Sequence, residues 1–173
     1  LLQLNAAYLK NIAACSEAYE VIYVLDRCAD SVEKMIDTTI SNNRSCKKIR
    51  LPKFFGDATA LSTGLSASSG SNILILTPYG QIAPEEIPNV IAGLAEHDVV
   101  IAQRIRTGEP WFNRVQARAF SFLANSVVVD LGITDVTCEV RALRRRVTEE
   151  IDLYGDMNRF LPQLAYRLGF NIG

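Results

Sequence analysis

Short apolar runs alternate with amphipathic stretches along most of the chain. The runs at residues 21–25, 73–76 and 99–102 have the length and composition of buried strands. The segments that separate them, at residues 30–40, 56–68 and 84–95, carry apolar residues at helical spacing. Strands that alternate with helices predict an α/β fold, with a mainly parallel central sheet flanked by helices. The three apolar runs are expected to be neighbouring strands of that sheet.

The same patterns predict the remaining elements. Residues 1–4 are expected to be the end of a strand whose start is missing, and residues 5–15 the helix that follows it. Charged residues and Pro52 place a short strand at residues 48–51 near a sheet edge. No repeat or linker interrupts the chain, so a single domain over residues 1–173 is expected. Three further helices and one strand are predicted at residues 111–129, 144–153 and 158–168 and at residues 136–143.

Composition and charge narrow the possible functions. Hydrophobic residues make up 49% of the 173 residues and charged residues 21%, which is typical of a globular protein. A net charge of −1 gives no overall electrostatic basis for binding nucleic acid. No apolar stretch approaches the roughly 20 residues of a transmembrane helix. Four scattered cysteines and a lone histidine disfavour a zinc site and favour free thiols in a reducing, cytoplasmic compartment.

The loop at residues 77–81 is the first candidate site. It follows the apolar run at residues 73–76, and in open α/β sheets ligands bind at the carboxyl ends of the strands. Thr77 and Tyr79 lie at its tip, and Tyr79 either stacks on a nucleotide base or packs against the sheet. Gln81 either contacts a phosphate or the acceptor, or is solvated.

Other polar residues follow the predicted strands. Asp26 either accepts a hydrogen bond from a nucleotide or caps a turn or helix, and Asp30 presents the same choice. Arg104 and Arg106 follow the strand at residues 99–102, and Arg141 projects from a later strand. A guanidinium binds phosphate oxygens through two parallel hydrogen bonds.

Each of these arginines, and also Asp135, has a structural alternative to a role in the site. The arginines could instead form surface ion pairs with Glu109 or Glu139, which are worth under about 1 kcal/mol. Asp135 is either a general base or a cap at a strand end. The sequence leaves these alternatives open.

Six motifs in order resemble those of family 2 glycosyltransferases of the GT-A fold, and most closely the polyprenyl- or dolichol-phosphate sugar transferases. They resemble the family's Asn-Glu, Val-Asp-Asp-Gly-Ser-x-Asp, Gly-Lys-Gly-x-Ala-Leu, Gly-Ser-Arg and Asp-x-Thr-Ser-Gly-Phe-Arg segments and its terminal helix and turn. The corresponding positions are residues 4–6, 24–30, 56–61, 102–104, 135–141 and 161–170. The resemblance implies a GT-A domain that binds a nucleotide sugar.

The chain departs from that family where the chemistry is expected. The family's Asp-x-Asp tip holds a divalent Mg or Mn ion against the donor diphosphate, and the matching residues are Thr77, Pro78 and Tyr79. Hard cations prefer carboxylate oxygens, so neither a metal site nor another cofactor is expected. The family's Glu, first Asp, Lys and Gly are replaced by Ala6, Leu25, Asp57 and Glu139.

The resemblance implies sugar transfer from a nucleotide diphosphate sugar to an acceptor such as a polyprenyl phosphate. Arg104 and Asp135 are then the candidate catalytic residues, and Arg104 is expected to face the 77–81 loop across a cleft, opposite Asp26. Phosphate or acceptor contacts are expected at Arg104, Arg106 and Arg141, and nucleotide contacts at Asp26, Asp30, Thr77, Tyr79 and Gln81. The alternative is a non-catalytic module that binds a nucleotide or a partner and has kept only the fold. A lipid acceptor would bring a cytoplasmic chain to the membrane surface.

Overall fold

A computed structural model of the chain describes residues 2–16, 18–104, 138–151 and 157–173. The helices are α1 (Leu2–Cys15), α2 (Asp30–Asn42), α3 (Asp57–Ala67), α4 (Ile87–Ala92), α5 (Arg145–Glu150) and α6 (Leu161–Arg167). The strands are β1 (Val21–Leu25), β2 (Cys46–Arg50), β3 (Asn72–Ile75), β4 (Val99–Ile101) and β5 (Arg141–Arg144). Three short 3₁₀ turns complete the described structure, at Pro84–Glu86, Gly93–Ala95 and Met157–Phe160.

The described strands form two separate sheets. Strands β1 and β2 pair in parallel, with Val21 opposite Cys46 and Leu25 opposite Arg50. In the second sheet β5 lies between β3 and β4 and is antiparallel to both. The α/β class is therefore confirmed, with a parallel pair of strands accompanied by helices.

The neighbours of the predicted strands differ from the expectation. The prediction that β1, β3 and β4 are adjacent strands of one largely parallel sheet is wrong, because β5 separates β3 from β4 and β1 pairs with β2. The sequence of β5 suits the central position, since both Ala142 and Leu143 are fully buried. A strand that is buried on both faces belongs in the middle of a sheet.

Two apolar clusters lie on the opposite faces of the β3–β5–β4 sheet. Successive side chains of a strand point to opposite faces, so neighbouring residues enter different clusters. Leu74, Val100 and Ala142 belong to the cluster that also contains residues of α1 and α4. The other cluster contains Val99 and Leu143 together with residues of α5 and α6.

The beginning of the chain is helical, which corrects another prediction. Residues 2–4, expected in a strand, form the first turn of α1, and Leu1 lies outside the described residues. Leu4, Tyr8 and Ile12 recur at helical spacing, and all three contribute to the α1–α4 cluster. This packing continues the helix back through the residues that were predicted as a strand.

Helix α3 packs closely on β1. A Cβ atom added to Gly64 would lie 3.2 Å from Cγ2 of Val24, so glycine allows this close approach. Among the described residues, no helix is both long and apolar enough to cross a bilayer. The predicted helix at residues 111–129 and the first two residues of the strand predicted at 136–143 lie outside the described residues.

Candidate active site at the end of β3

Gln81 fixes the loop at residues 77–81 to the segment that leads into β5. Its side chain is only 4% exposed. The Oε1 atom accepts a hydrogen bond from the backbone N–H of Glu139 at 2.8 Å and a weaker one from Sγ of Cys138 at 3.6 Å. The amide oxygen of Gln81 therefore already has protein partners, and its predicted contact with a phosphate or acceptor stays a prediction.

The tip of the loop is held by hydrogen bonds between its own polar groups. The Thr77 hydroxyl donates to the backbone carbonyl oxygen of Tyr79, and Thr77 is buried. The Tyr79 hydroxyl donates to Oε2 of Glu139 at 2.7 Å, although much of the Tyr79 ring is exposed. The tip thus lacks its own carboxylate but contacts one that comes from the segment before β5.

Local charges act on the Tyr79 hydroxyl. Desolvation, followed by the hydrogen bond to Glu139, raises the pKa of Tyr79 to about 12. The negative charge of Asp57 adds to this increase, and the positive charge of Arg104 opposes it. Tyr79 is consequently a neutral hydrogen-bond donor at physiological pH, within electrostatic range of two carboxylates and a guanidinium.

Arg104 lies just beyond β4, partly buried. Its positive charge opposes the increase in the Tyr79 pKa, and its predicted position across a cleft from the 77–81 loop stays a prediction. A guanidinium is charged at any physiological pH, so this position adds a positive charge next to the tip.

Arg141 is almost completely buried at the start of β5, with 3% of its surface exposed. Its Nε atom donates to the carbonyl oxygen of Cys138 at 3.2 Å, and Nη1 donates to the carbonyl oxygen of Asn158 at 2.6 Å. Burial lowers the pKa of Arg141 to about 10, which still leaves it charged near neutral pH. These contacts connect the segment that carries Glu139 to the 3₁₀ turn before α6.

Asp26 holds the loop that precedes α3. Its carboxylate accepts hydrogen bonds from the backbone N–H of Phe55 at 2.9 Å and of Gly56 at 2.7 Å. Asp26 is not the N-cap of the next helix, because Ala29 has that position in α2, and it instead anchors the loop that leads to Gly56, the N-cap residue of α3. Its predicted contact with a nucleotide stays a prediction. Asp30 is the first residue of α2, and Ala29 is the N-cap of that helix. The negative charge of Asp30 therefore interacts favourably with the positive end of the helix dipole.

The remaining predicted site residues, Arg106 and Asp135, lie outside the described residues, and so does Glu109. Thr77, Tyr79 and Gln81 follow β3, and Arg104 follows β4, so the four residues lie at the same edge of the β3–β5–β4 sheet. Asp26 lies at the end of β1, where the neighbouring sheet ends.

The residues at the tip do not fit the divalent metal of the family. Thr77 and Tyr79 offer a hydroxyl and a phenol, and both are hydrogen-bond donors to neighbouring oxygens. Within the described part of the chain, no group of three or more His, Cys, Asp or Glu residues could hold a metal ion. Glu139 is a single carboxylate, and one carboxylate is a poor substitute for the oxygen-rich shell that Mg²⁺ or Mn²⁺ requires.

Glu139 was not selected as a site residue from the sequence. Two departures from the family pattern carried the signal: a Gly replaced by Glu139 and a metal-site acid replaced by Tyr79. The structure pairs these two residues directly. Considering the departures as a pair rather than one at a time would have predicted the contact.

Comparisons with known proteins agree with this architecture. The sequence pattern described as Glycosyl transferase family 2 matches residues 4–152. An undecaprenyl-phosphate 4-deoxy-4-formamido-L-arabinose transferase of Serratia proteamaculans (strain 568) is 28% identical over 167 residues, covering 94% of this chain and 51% of the relative. The corresponding transferase of Proteus mirabilis (strain HI4320) is 27% identical over 166 residues, covering 94% of this chain and 50% of the relative. The chain thus spans about half the length of these curated relatives.

A solved structure shows the same fold. The mannosyltransferase PcManGT from Pyrobaculum calidifontis, in complex with GDP-Man and Mn²⁺, superimposes with a TM-score of 0.64 at 17% sequence identity. The alignment covers 99% of this chain and 50% of the mannosyltransferase. The GT-A fold predicted from the ordered motifs is confirmed, and the chain belongs to glycosyl transferase family 2.

Proposed function

We propose that this chain transfers a sugar from a nucleotide diphosphate sugar to a polyprenyl phosphate. The observation that carries the proposal is its similarity, over 94% of its length, to two transferases named for undecaprenyl phosphate. This similarity favours sugar transfer over the alternative of a non-catalytic binding module. The chain would act as one domain at the cytoplasmic surface of a membrane.

The proposed chemistry depends on positive charge near the tip. Loss of the sugar leaves a nucleoside diphosphate, and stabilising its developing charge would be the main catalytic task. One close charge pair contributes roughly 4 kcal/mol at an effective dielectric constant of 20. Arg104 is the candidate for this task, because its positive charge acts on Tyr79 at the tip.

The other assignments extend the same proposal. Arg106 would add a second positive charge, and Asp135 would accept the proton of the acceptor. Arg141 would act mainly on the position of the segment with Glu139, because its guanidinium is buried and donates to two backbone carbonyl groups. Asp26 and Asp30 would contact the nucleoside, and Thr77, Tyr79 and Gln81 would line its diphosphate.

A transfer assay tests the proposal. The chain is incubated with radiolabelled UDP- and GDP-sugars and with undecaprenyl phosphate in detergent micelles, and label in the lipid phase is counted. We expect transfer from at least one donor and its loss in Arg104→Ala, with Arg167→Ala as an exposed control. If no label is transferred and no nucleoside diphosphate binds at millimolar concentration, the binding-module alternative is the better interpretation.

A metal titration tests the altered tip separately. Because Thr77 and Tyr79 are poor ligands for hard cations, we expect Mn²⁺ to bind weakly in calorimetry, with or without a nucleoside diphosphate. The variant Thr77→Asp/Tyr79→Asp restores the family's two carboxylates and should bind Mn²⁺ about tenfold more tightly. Equal affinity in both proteins would show that the tip does not control metal binding.

A further inference from the structure

Strand β1 has one edge without a partner strand among the described residues, because it pairs with β2 alone. The Val21 N–H donates to the Ser45 carbonyl oxygen at 2.8 Å, and the Leu51 N–H donates to the Leu25 carbonyl oxygen at 2.9 Å. In a parallel pair these two bonds direct the backbone of residues 21, 23 and 25 towards β2. The N–H and C=O groups of residues 22 and 24 therefore point to the open edge.

Strand β3 has an open edge of the same kind, because its partner in the described part of the chain is β5. The Arg145 N–H donates to the Ser71 carbonyl oxygen at 2.8 Å, so residues 71, 73 and 75 face β5. The backbone groups of Asn72 and Leu74 point away from it. Rows of unpaired N–H and C=O groups are a template for the addition of another strand.

The outer edges of both sheets are protected, unlike these two inner edges. The outer strand β2 carries Lys47, Lys48 and Arg50, and charged side chains discourage the addition of a further strand. Residues 171–173 cover the outer edge of β4, where the Gly173 N–H donates to the Val99 carbonyl oxygen at 2.9 Å. The sequences of β1 and β3, VIYVL and NILI, contain no charged residue.

Helices α1 and α3 lie on opposite faces of β1. The Tyr23 hydroxyl donates to Oδ1 of Asn5 in α1 at 2.8 Å. The next residue of the strand, Val24, packs against Gly64 of α3. Because successive side chains of a strand point to opposite faces, the two helices enclose this edge of β1 from both sides.

Both helices also reach the second sheet. A Cβ atom added to Gly80, in the loop after β3, would lie 3.7 Å from Cδ1 of Leu4 in α1. Ser68, directly after α3, accepts a hydrogen bond from the guanidinium of Arg145 at 2.9 Å, and Arg145 follows β5. The gap between the open edges of β1 and β3 therefore has a helix on each face.

The burial of the strands indicates what would fit this gap. Residues 21–24 of β1 and 73–75 of β3 are only half-buried, whereas residues 141–143 of the central strand β5 are buried. A strand with helices on both faces is buried on both and needs apolar side chains along its whole length. Since β1 has five residues and β3 has four, an added strand would have four or five.

We propose that the gap between β1 and β3 binds one extended apolar peptide segment, supplied from outside this chain, that pairs with both edges and joins the two sheets. A second copy of the chain fits less well, because its own open-edged strands are already packed against helices and cannot pass between α1 and α3. The proposal is independent of the proposed transfer. An added strand would also hold the turns after β1 and β3 at a fixed distance from each other.

A peptide titration tests the proposal without any sugar donor or acceptor. The probe is a fluorescein-labelled peptide with the central residues Val-Ile-Val-Ile-Val between lysines that keep it soluble, and its anisotropy is measured as the 173-residue chain is added. We expect saturable binding of one peptide per chain. Hydrogen exchange at the amides of Ile22, Val24 and Leu74 should slow when the peptide binds, because these groups gain partners. A peptide with proline at its central position is the control and should not bind.

Alternate N-methylation of the peptide distinguishes insertion from addition to a single edge. A strand between two edges uses amide groups on both of its sides, so methylation of the first and third central residues affects one edge and methylation of the second and fourth affects the other. Each lost hydrogen bond weakens binding about fivefold, so either peptide should bind about 20-fold more weakly. A loss with one methylated peptide alone contradicts insertion.

Proline substitutions in the chain test the two edges separately. Ile22→Pro and Asn72→Pro each remove one N–H group that faces the gap, and each should weaken peptide binding about fivefold. Lys48→Pro is the matched control, because its N–H group faces the outer edge of β2, and it should leave peptide binding unchanged. Thermal melts confirm that each variant is folded, and the methylated peptides test the same hydrogen bonds in the unaltered chain.

Three results would overturn the proposal. The first is a failure of the peptide to bind, or equal binding of the proline-containing control. The second is a dimer in analytical ultracentrifugation whose Ile22 and Leu74 amides are protected without peptide, because a second copy then fills the gap. The third is protection of the same amides in the monomer, because the chain then fills the gap itself. Each result is independent of the outcome of the transfer assay.

Discussion

The turns after β1 and β3 differ in where their carboxylate comes from and in what it binds. After β1, Asp26 accepts hydrogen bonds from two backbone N–H groups and fixes the loop before α3. After β3, the tip has no carboxylate, and Glu139 from the segment before β5 accepts a hydrogen bond from Tyr79. The comparison shows that the function of a carboxylate depends on which groups donate hydrogen bonds to it. Its position at the end of a strand does not determine that function.

The two turns also differ in what remains open to a partner. The polar groups at the β3 turn largely bond to one another, through Thr77, Tyr79 and Gln81. The β1 turn satisfies its carboxylate internally but leaves cations and aromatic rings at the surface. Substitutions at Arg141, at Arg104, at Asp26 and in the Tyr79–Glu139 pair test how firmly this contrast holds.

Replacing Arg141 should have the largest effect, because it releases the segment that carries Glu139. Arg141→Met leaves the carbonyl groups of buried Cys138 and partly buried Asn158 without their charged donor, and we expect a loss of about 3 kcal/mol in the free energy of unfolding. Urea denaturation measures the change, with Arg167→Met as an exposed control. A loss below that of the control would mean that the β3 turn does not depend on this anchor.

Replacing Arg104 tests the contrast between the two turns through ligand binding rather than through stability. Arg104→Ala should weaken nucleoside diphosphate binding by about 1.5–3 kcal/mol, the scale of a hydrogen bond to a charged group. Binding of the nucleoside alone should change little if the end of β1 serves that half. Calorimetry with both ligands tests this division, and equal losses for the two ligands would contradict it.

Replacing Asp26 tests the structural role of the β1 turn. Asp26→Ala removes two charge-assisted hydrogen bonds to the backbone and should lower the free energy of unfolding by about 2 kcal/mol. Asp30→Ala is the matched control, because this exposed residue contributes only about 0.3–1 kcal/mol through the helix dipole. Unchanged stability in Asp26→Ala, together with lost nucleoside binding, would turn Asp26 from a structural residue into a ligand contact.

Breaking the Tyr79–Glu139 contact should have the smallest effect. A double-mutant cycle with Tyr79→Phe and Glu139→Gln should give a coupling of about 0.5–1 kcal/mol, as expected for one partly exposed hydrogen bond. The folded-state pKa of Tyr79 is raised to about 12. Its contribution to stability is therefore complete below its usual pKa near 10 and is lost as the pH rises towards 12.

Alkaline unfolding of the same variants checks that sign. The unaltered chain should lose stability between pH about 10 and 12 more steeply than Tyr79→Phe, because only the former has this phenol to ionise. Identical pH profiles would indicate that the Tyr79 hydroxyl is not held by Glu139 in solution.

Local patterns predicted the elements better than their arrangement. Residues 21–25 were predicted as a strand with the bounds that β1 has, because an apolar run between polar turns is a strong local signal. Residues 2–4 were assigned to a strand and are helical. A run this short has no readable period of its own, and its packing around Tyr8 decided its conformation.

Contacts between distant residues explain most of what the sequence did not predict. The position of β5 between β3 and β4 depends on the burial of Ala142 and Leu143, which no local pattern encodes. The pairing of Tyr79 with Glu139 likewise joins two separate segments. Asp26 was predicted as either a cap or a ligand, and its backbone donors become visible only when the loop before α3 is placed.

The central position of β5 also constrains the order in which the chain can fold. The β1–β2 pair joins segments separated by a single helix, so it can form early during synthesis. The β3–β5–β4 sheet must wait, because Asn72 pairs with Arg144 from the other half of the sequence. High contact order slows folding, and the edges of β3 and β4 remain exposed to aggregation until β5 emerges from the ribosome.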